Sequence, residues 1–309
     1  MTNCSAERAL AGFVADVRRL VAERVEGSVL RFADGVDVVQ LLPGKMLRTR
    51  LAARLTACGC TSFDQADLAG LCAATELVHT ASLCHDDVID NALIRRARAS
   101  LWQSVGASGA ILIGDLLFCE AMKLVYDAAD GRYVGAFLAK TSQVVTAEAE
   151  QELTLRGKEL DEQSCLAVAR DKTGPLFAFV AAVCGGDDEE FSAVLEEAGY
   201  LIGTAYQLAD DLFDVVGDEA ATGKTLGSDC QRRKYTLPQA AEQGASVVRR
   251  RVVELCSSAV AHLAGRPAAR AALERYLVDD LGSVFHRVDE NLLQVLGDRV
   301  ASFGDRRSH

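Results

Sequence analysis

Apolar residues recur at helical spacing along most of this chain. The first such segment covers residues 5–32, where the apolar positions are Leu10, Phe13, Val14, Val17, Leu20, Val21 and Val25. The same period predicts a helix from about residue 45 through Ala57 and longer helices over 64–94, 99–127, 132–156, 189–216 and, in pieces, 239–300. The pattern therefore predicts an all-α protein.

Polar stretches separate the predicted helices. The segment 172–175, Lys-Thr-Gly-Pro, interrupts one apolar run, and residues 185–188 form a predicted turn. Residues 217–238 are the longest stretch without apolar periodicity, and they are rich in cations. Because long irregular connections in compact domains are often functional lids, we interpret this stretch as a flap that closes over bound phosphate. An ordinary exposed basic loop is the alternative.

Two predicted helices carry the same arrangement of aspartates. Asp86, Asp87 and Asp90 stand at i, i+1 and i+4, and the range 210–214 repeats this spacing. On a helix, the first and last aspartates lie one turn apart on one face, where like charges repel. A divalent cation turns this repulsion into coordination, and carboxylate oxygens suit Mg²⁺. Two such helices facing each other predict Mg²⁺ ions held against a diphosphate, whereas a solvated acidic face would explain either group alone.

Cations lie beside these features. Lys45, Arg48 and Arg50 follow Pro43-Gly44 within a few residues, which is consistent with a diphosphate clamp at a helix start or with an ordinary basic helix end. Arg95 and Arg96 follow the first aspartate group, on or just beyond the same helix, and guanidinium groups suit phosphate oxygens.

Composition limits the class of protein. The 309 residues carry a net charge of −11, which argues against nucleic acid as a partner. The ten cysteines are scattered without a metal-binding spacing, and the chain shows no signal peptide, so we expect a reducing, cytoplasmic compartment. No apolar run approaches the roughly 20 residues that span a bilayer, so we expect no transmembrane segment. We expect one domain over 1–309, with a polar tail at about 298–309.

The ordered set of motifs resembles the trans-prenyl diphosphate synthase family, also called the polyprenyl synthetase family, over nearly the whole chain. The matching pieces are Gly44-Lys45-x-x-Arg48, Glu76-x-x-His79, Asp86-Asp87-x-x-Asp90, Arg95-Arg96, Gly114-Asp115, Gln151, Lys172-Thr173, Gln207, Asp210-Asp211-x-x-Asp214, Lys224 and Lys234-x-Thr236-Leu237-Pro238. Each motif alone is weak, but the series in this order is specific. The resemblance implies a single-domain helical bundle around a deep central cavity, usually in a homodimer.

The resemblance also implies a role for each matching residue. Asp86 and Asp90 would bind two Mg²⁺ ions on the allylic diphosphate with support from Asp87, and Asp210 would bind a third, with Asp211 and Asp214 nearby. The allylic diphosphate would be held by Arg95, Lys172, Lys224 and Lys234, and the diphosphate of isopentenyl diphosphate by Lys45, Arg48, His79 and Arg96. Thr173 and Gln207 would flank the developing allylic cation. The implied reaction joins an allylic prenyl diphosphate head-to-tail to isopentenyl diphosphate and releases diphosphate.

Two small residues bear on the length of the product. Ala81 and Ser82 lie five and four residues before Asp86, so on a helix they point from the metal site down the cavity. A Phe or Tyr there would close the cavity after two or three isoprene units. We therefore expect a product of about twenty carbons or more, with Phe118 or Met122 as candidate floors. Close helix packing is the alternative explanation for the two small residues.

Other classes of protein share some of these features. A geranyl or farnesyl diphosphate synthase would use the same site, and a class I terpene cyclase shares a helical bundle and one acidic motif. A metal phosphohydrolase would use His79, His85, Asp86 and a later Asp, but such a site needs several histidines on the metal, and two of the five in this chain lie near its carboxyl terminus. A non-catalytic partner subunit would have no need of two complete aspartate groups.

Overall fold

The computed structural model describes residues 3–29, 31–32, 38–59, 63–95, 98–216 and 234–288. Arg96, Lys224 and most of the proposed flap lie outside these ranges. The helices are α1 Asn3–Ser28, α2 Leu47–Ala57, α3 Gln65–Ile89, α4 Leu101–Asp127, α5 Val134–Glu150, α6 Glu162–Val183, α7 Glu189–Val216, α8 Leu237–Ala240, α9 Gly244–His262, α10 Pro267–Arg275 and α11 Gly282–Val288. The prediction of an all-α fold is confirmed.

Shorter elements join these helices. Single 3₁₀ turns cover Val38–Leu41 and Ala128–Gly131, and π-helical turns cover Gln151–Leu155 and Tyr276–Asp280. A two-stranded antiparallel hairpin, β1 Ile94–Arg95 and β2 Arg98–Ala99, separates α3 from α4. The helical period did not predict this hairpin, because each strand is only two residues long.

The described residues group into two compact units. The first falls within Met1–Ala53 and Phe63–Leu138, and the second falls within Arg54–Ser62, Ala139–Gly217 and Asp229–His309. A single domain over 1–309 stays a prediction.

The first unit is built on α3, which packs against α1 and α4. Asp64 caps α3, since its side chain accepts hydrogen bonds from the backbone N–H groups of Ala66 and Asp67. Leu77 of α3, Leu117 of α4 and Val17 of α1 are fully buried. The capped and buried α3 therefore holds its last turn, which carries the first aspartate group, in a fixed position.

Helix α4 is kinked and strongly apolar. Gly106 has a φ of 73°, which a glycine adopts without strain, and it divides α4 into two straight parts. The segment Leu101–Gly131 is long and apolar enough to cross a membrane, so the expectation that no apolar run reaches that length is wrong here. Length and composition alone are weak evidence for a span, because core helices of soluble proteins pass the same test. Only 28% of the apolar window is buried within this chain.

The second unit is built on α6 and α7. Two glycines of α7, Gly199 and Gly203, lie one turn apart against α6, and a Cβ at Gly203 would stand 2.7 Å from the Cα of Gly174. This close approach leaves no room for a side chain at either position. It brings the residue one turn further along α7, Gln207, beside Thr173 of α6.

The predicted interruption at 172–175 is wrong, because α6 continues through Pro175 to Val183. A proline inside a helix costs about 3 kcal/mol through its missing N–H and its clash with the preceding turn. Burial of Leu176, Phe177 and Phe179 against the rest of the unit offsets that cost. Tertiary packing thus overrides the local signal.

Candidate active site

The first aspartate group occupies the last turn of α3. The backbone N–H of Asp90 donates to the carbonyl of Asp86 at 2.7 Å, so these residues lie one turn apart, as predicted. The last turn of α3 contains no basic residue. Because the helix dipole is negative at this end, carboxylates here are disfavoured unless a cation lies nearby.

Asp87 is buried, whereas Asp86 and Asp90 are half-buried, and it forms an ion pair. The guanidinium of Arg95 donates from Nε and Nη2 to Oδ1 of Asp87, with the Nε distance at 2.8 Å. Arg95 lies on β1 rather than on α3. The chain before the hairpin is held by Trp102, whose indole N–H donates to the carbonyl of Ala92 at 2.7 Å. Asp87 therefore orients Arg95 at the end of α3.

His85 precedes this group and packs across α4. Its Nε2 lies 3.1 Å from the carbonyl oxygen of Ile111 and 3.3 Å from Oδ1 of Asp115. A Cβ at Gly114 would stand 2.3 Å from the same nitrogen, so this glycine makes room for the imidazole. The Gly114-Asp115 motif thus serves the residue next to Asp86, a role that the sequence did not predict.

The basic loop before α2 is held through its carbonyl groups. Arg18 of α1 donates to the carbonyls of Pro43 at 2.8 Å and Gly44 at 2.9 Å, and Nε of Arg50 donates to the carbonyl of Lys45 at 3.1 Å. Lys45 is exposed, whereas Arg48 is buried in the first turn of α2. The loop that carries Lys45 is therefore fixed by two arginines.

Thr49 and Glu76 link α2 to α3. The hydroxyl of Thr49 donates to Oε1 of Glu76 at 2.8 Å, and its backbone N–H lies 3.3 Å from the same oxygen. Both residues are fully buried. A proline or valine at this position would lack the hydroxyl donor. In this chain the buried carboxylate of Glu76 accepts hydrogen bonds from both donors of Thr49.

A cavity of about 320 Å³ lies within the first unit. Its polar lining includes Gly44, Thr80, Asp87 and Arg95, and its apolar lining includes Leu83. The basic loop, one face of α3 and the two short strands therefore border one cavity. Ala81 is fully buried on α3, and the hydroxyl of Ser82 donates to the carbonyl of His79 at 2.9 Å.

The second aspartate group lies in the last turns of α7. Nε2 of Gln207 donates to Oδ1 of Asp211 at 2.7 Å, and the hydroxyl of Thr173 donates to Oε1 of Gln207. Because Asp211 accepts from the amide nitrogen of Gln207, the amide oxygen of Gln207 faces Thr173. Asp210 is half-buried and Asp214 is buried. The structure thus joins three predicted residues, Thr173, Gln207 and Asp211, in one chain of hydrogen bonds.

Lys172 and Lys234 converge on one carboxylate, that of Glu148. Nζ of Lys172 lies 2.5 Å from Oε2 and Nζ of Lys234 lies 3.0 Å from Oε1. Burial raises the pKa of Glu148, but the charges and hydrogen bonds of the two lysines outweigh it and lower the pKa to about 2. The second unit therefore presents two cations that already share a small anion.

The Lys234-x-Thr236-Leu237-Pro238 motif forms the start of α8. Thr236 is the N-cap, its backbone N–H donates to Oε1 of Gln239 at 3.1 Å, and Pro238 lies in the first turn. Leu237 is fully buried. The motif therefore anchors the chain directly after Lys234.

Cys165 contacts this segment but cannot serve as a nucleophile. Its thiol lies 3.9 Å from the carbonyl oxygen of Tyr235. Burial raises its pKa to about 12, and the nearby carboxylates Asp211 and Asp161 act in the same direction. The thiol is therefore protonated at neutral pH.

The donor set fits Mg²⁺ that arrives with a phosphorylated substrate. Among the described residues, no three His, Cys, Asp or Glu side chains form a group that could hold a metal ion on their own. Mg²⁺ is usually bound by one or two carboxylates together with substrate phosphates rather than by an all-protein cage. Aspartates one turn apart at the ends of α3 and α7 meet that requirement.

Comparison with known proteins gives consistent matches. A sequence profile of the polyprenyl synthetase family matches residues 33–258. The short chain isoprenyl diphosphate synthase of Methanothermobacter thermautotrophicus is 35% identical over 224 residues, which cover 70% of this chain and 68% of that protein. The octaprenyl diphosphate synthase of Haemophilus influenzae is 31% identical over 198 residues, which cover 63% of this chain and 60% of that protein.

A solved structure gives the same result for the fold. The geranyltransferase of Helicobacter pylori, complexed with magnesium and isoprenyl diphosphate, has a TM-score of 0.70 at 20% identity, and the match covers 90% of this chain and 97% of that one. The two chains therefore share the same all-α fold. The chain belongs to the polyprenyl synthetase family, whose members are trans-prenyltransferases. The resemblance drawn from the motifs is confirmed, but the relatives' names span short and long products.

The structure adds residues that the motifs did not identify. Arg18, Glu148 and His85 lie outside the predicted substrate-binding and catalytic residues, yet each orients a predicted residue or its loop. Arg18 is separated from Pro43 by 25 positions, so no local pattern links them. Glu148 had a weak signal, since it shares a predicted helix face with Gln151 and Glu152.

Proposed function

We propose that the protein condenses an allylic prenyl diphosphate with isopentenyl diphosphate in a Mg²⁺-dependent reaction that extends an all-trans polyprenyl chain. The observation that carries this proposal is the convergence of Lys172 and Lys234 on one carboxylate, next to the Thr173–Gln207–Asp211 hydrogen bonds. Two lysines that share an anion suit a diphosphate, and polar oxygens beside them suit the carbon from which it departs.

The aspartates would hold the metal. Asp86, Asp90 and Asp210 are the proposed ligands, with Asp87, Asp211 and Asp214 in support, and three Mg²⁺ ions per site are part of the proposal. When bound, Mg²⁺ neutralises the leaving diphosphate. Asp87 would orient Arg95 towards the allylic diphosphate through its ion pair. Thr173 and Gln207 would direct oxygen atoms towards the allylic carbon as positive charge develops.

The basic loop would bind isopentenyl diphosphate. Lys45, Arg48 and His79, together with Arg96, are its proposed ligands, and Arg18 holds the loop before any substrate binds. Such preorganisation removes part of the entropic cost of binding. The apolar cavity wall formed by Leu83 would exclude water, so that the alkene rather than water attacks the cation.

We propose a product of about twenty carbons or more. Ala81 and Ser82 are small side chains on α3 that would leave a growing chain room, and Phe118 of α4 lies next to His85 with ring centroids 6.0 Å apart. With farnesyl diphosphate as primer, chromatography of the products decides the length. A product that stops at ten or fifteen carbons favours the geranyl or farnesyl synthase instead.

We further propose a homodimer that acts in the cytoplasm as one catalytic domain. The apolar face of α4 exposes 62% of Leu112 and 72% of Tyr126, which is unfavourable unless a second copy covers them. The thiols of Cys119, Cys165 and Cys256 form no disulfide, which is consistent with a reducing compartment. The family match over 33–258 includes segments of both compact units, which supports one catalytic domain.

One incubation tests the proposed reaction. The purified protein is supplied with labelled isopentenyl diphosphate, an allylic primer and Mg²⁺, with an EDTA-treated sample as control. Chain growth that depends on Mg²⁺ is the expected result. A cyclic hydrocarbon would identify a terpene cyclase, and release of phosphate alone would identify a phosphohydrolase.

A further inference from the structure

A carboxylate from α5 lies between the two lysines that the proposed function assigns to the allylic diphosphate. Lys172 belongs to α6 and Lys234 to the segment before α8, and both reach Glu148. The lysine side chains expose 26% and 3% of their surface, so water screens them little. Two ammonium groups in such a place repel each other unless an anion separates them.

Neighbouring residues of α5 support the same arrangement. Oε1 of Gln151 accepts a hydrogen bond from Nζ of Lys172 at 3.1 Å, and Oε2 of Glu152 lies 3.9 Å from Nζ of Lys234. Residues 148, 151 and 152 share one helix face, and α5 widens into the π-helical turn Gln151–Leu155 at this point. Turns of this kind are frequent at functional sites.

We propose that Glu148 is a positioning residue that holds Lys172 and Lys234 side by side, on two oxygens of one anion, before substrate binds. The inference rests on the proposed function. Each carboxylate oxygen contacts a different ammonium group, so the two cations already have the spacing of a bidentate anion site. Prior positioning of this kind favours the transition state over the bound ground state.

The negative charge of Glu148 has a second consequence. It opposes binding of an anionic substrate, because it offsets one of the two lysine charges. Removal of the charge should therefore leave the KM for the allylic diphosphate unchanged or lower, while kcat falls because the lysines separate. General disruption of the unit would instead raise KM as kcat falls.

The first test measures the lysines directly and does not need activity. Wild type, Glu148→Gln and Glu196→Gln are treated with an acetylating reagent, and mass spectrometry follows each lysine. Glu196→Gln is the matched control, because Glu196 of α7 pairs with Lys140, a lysine on the same helix as Glu148. Glu148→Gln should increase the acetylation rate of Lys172 and Lys234 at least several-fold, and Glu196→Gln should affect Lys140 alone. Unchanged rates at Lys172 and Lys234 in Glu148→Gln overturn the proposal.

The second test measures kinetics on the same variants. Glu148→Gln should lower kcat by one to two orders of magnitude with no rise in the KM for the allylic diphosphate, whereas Glu148→Asp should recover part of kcat. In a Lys234→Met background, Glu148→Gln should change kcat less than threefold, because the pair of lysines that Glu148 holds together is already broken. Independent effects of the two substitutions, or a kcat for Glu148→Gln within threefold of wild type, overturn the positioning role.

Failure of the proposed function gives a different result. If the wild-type protein does not extend any allylic primer, the proposed function is wrong. The acetylation rates then decide alone whether Glu148 holds the two lysines.

Discussion

Arg95 and Asp87 form an ion pair in which both Nε and Nη2 of the guanidinium donate to one carboxylate oxygen. Asp87 is 3% exposed, whereas the side chain of Arg95 is 32% exposed, so the pair joins a buried carboxylate to a partly exposed guanidinium. The three aspartates of this group therefore have different roles, although they are close in sequence. Asp87 fixes an arginine, whereas Asp86 and Asp90 are the proposed metal ligands.

This difference predicts that substitutions of Asp87 and Asp86 affect stability differently. Asp87→Asn should lower the free energy of unfolding by about 1–3 kcal/mol, because it removes the charge of a buried carboxylate that pairs with Arg95. Asp86→Asn should not lower it, because it removes a negative charge from the unfavourable end of the helix dipole. Both should lower kcat by orders of magnitude. Denaturant unfolding and the chain-growth assay measure the two properties, and a stable Asp87→Asn variant would contradict the assignment.

Gly114 should not tolerate alanine. A Cβ there would stand 2.3 Å from Nε2 of His85, so the imidazole must move and the adjacent Asp86 is disturbed. We expect a loss of about 1–3 kcal/mol in stability, as for an overpacked core, and a lower kcat. Gly135→Ala on α5 is the control, because no atom lies within 4 Å of its added Cβ and helix propensity favours alanine. Equal effects of the two substitutions would exclude a specific contact with His85.

Thr49 should require its hydroxyl. Thr49→Val keeps the shape of the side chain but removes the donor to Glu76, whose carboxylate is buried. The expected loss is about 1–3 kcal/mol in the free energy of unfolding, and Thr49→Ser should restore most of it. Thermal unfolding of the three proteins checks this, and a valine variant as stable as wild type would show that Glu76 is satisfied elsewhere.

Glu148 should contribute pH-dependent stability. Its pKa is lowered from 4.5 to about 2 in the folded protein, so the contribution is fully present above about pH 4.5 and is lost as the pH falls towards 2. A shift of this size corresponds to roughly 3 kcal/mol. The difference in unfolding free energy between wild type and Glu148→Gln should therefore be larger at pH 6 than at pH 3. The same difference at both pH values would contradict the lowered pKa.

The apolar face of α4 should govern assembly. Leu112→Glu should shift the protein from dimer to monomer in analytical ultracentrifugation, because it introduces a charge into the proposed interface. Val278→Glu in the π-helical turn Tyr276–Asp280 is the control, since Val278 is also about half exposed. A monomeric wild type would overturn the dimer.

Helix positions were predictable because apolar periodicity is a local signal. The ranges 99–127 and 189–216 agree with α4 and α7 within two residues at each end. Pro175 misled the prediction, because the burial that carries α6 through it involves residues distant in sequence. The strand pair 94–95 and 98–99 was missed because two-residue strands are too short to show an alternating pattern.

The candidate site was partly predictable for a related reason. Its charged residues stand in short motifs, so Lys172 and Asp87 could be identified from sequence alone. The partners that orient them could not, since Glu148 and Lys234 are separated by 86 positions and Arg18 and Pro43 by 25. The motifs contain the groups that are proposed to bind substrate. The residues that position those groups are distant in sequence and are identified only from the structure.

The hydrogen bonds from Arg18 to the Pro43–Gly44 carbonyls would make α1 part of the proposed binding site for isopentenyl diphosphate. The family match begins at residue 33, after this helix has ended. A shortened protein that started there would retain every recognised motif and yet lose the anchor beneath Lys45. Truncation at the amino terminus should therefore weaken the affinity for isopentenyl diphosphate before it abolishes folding.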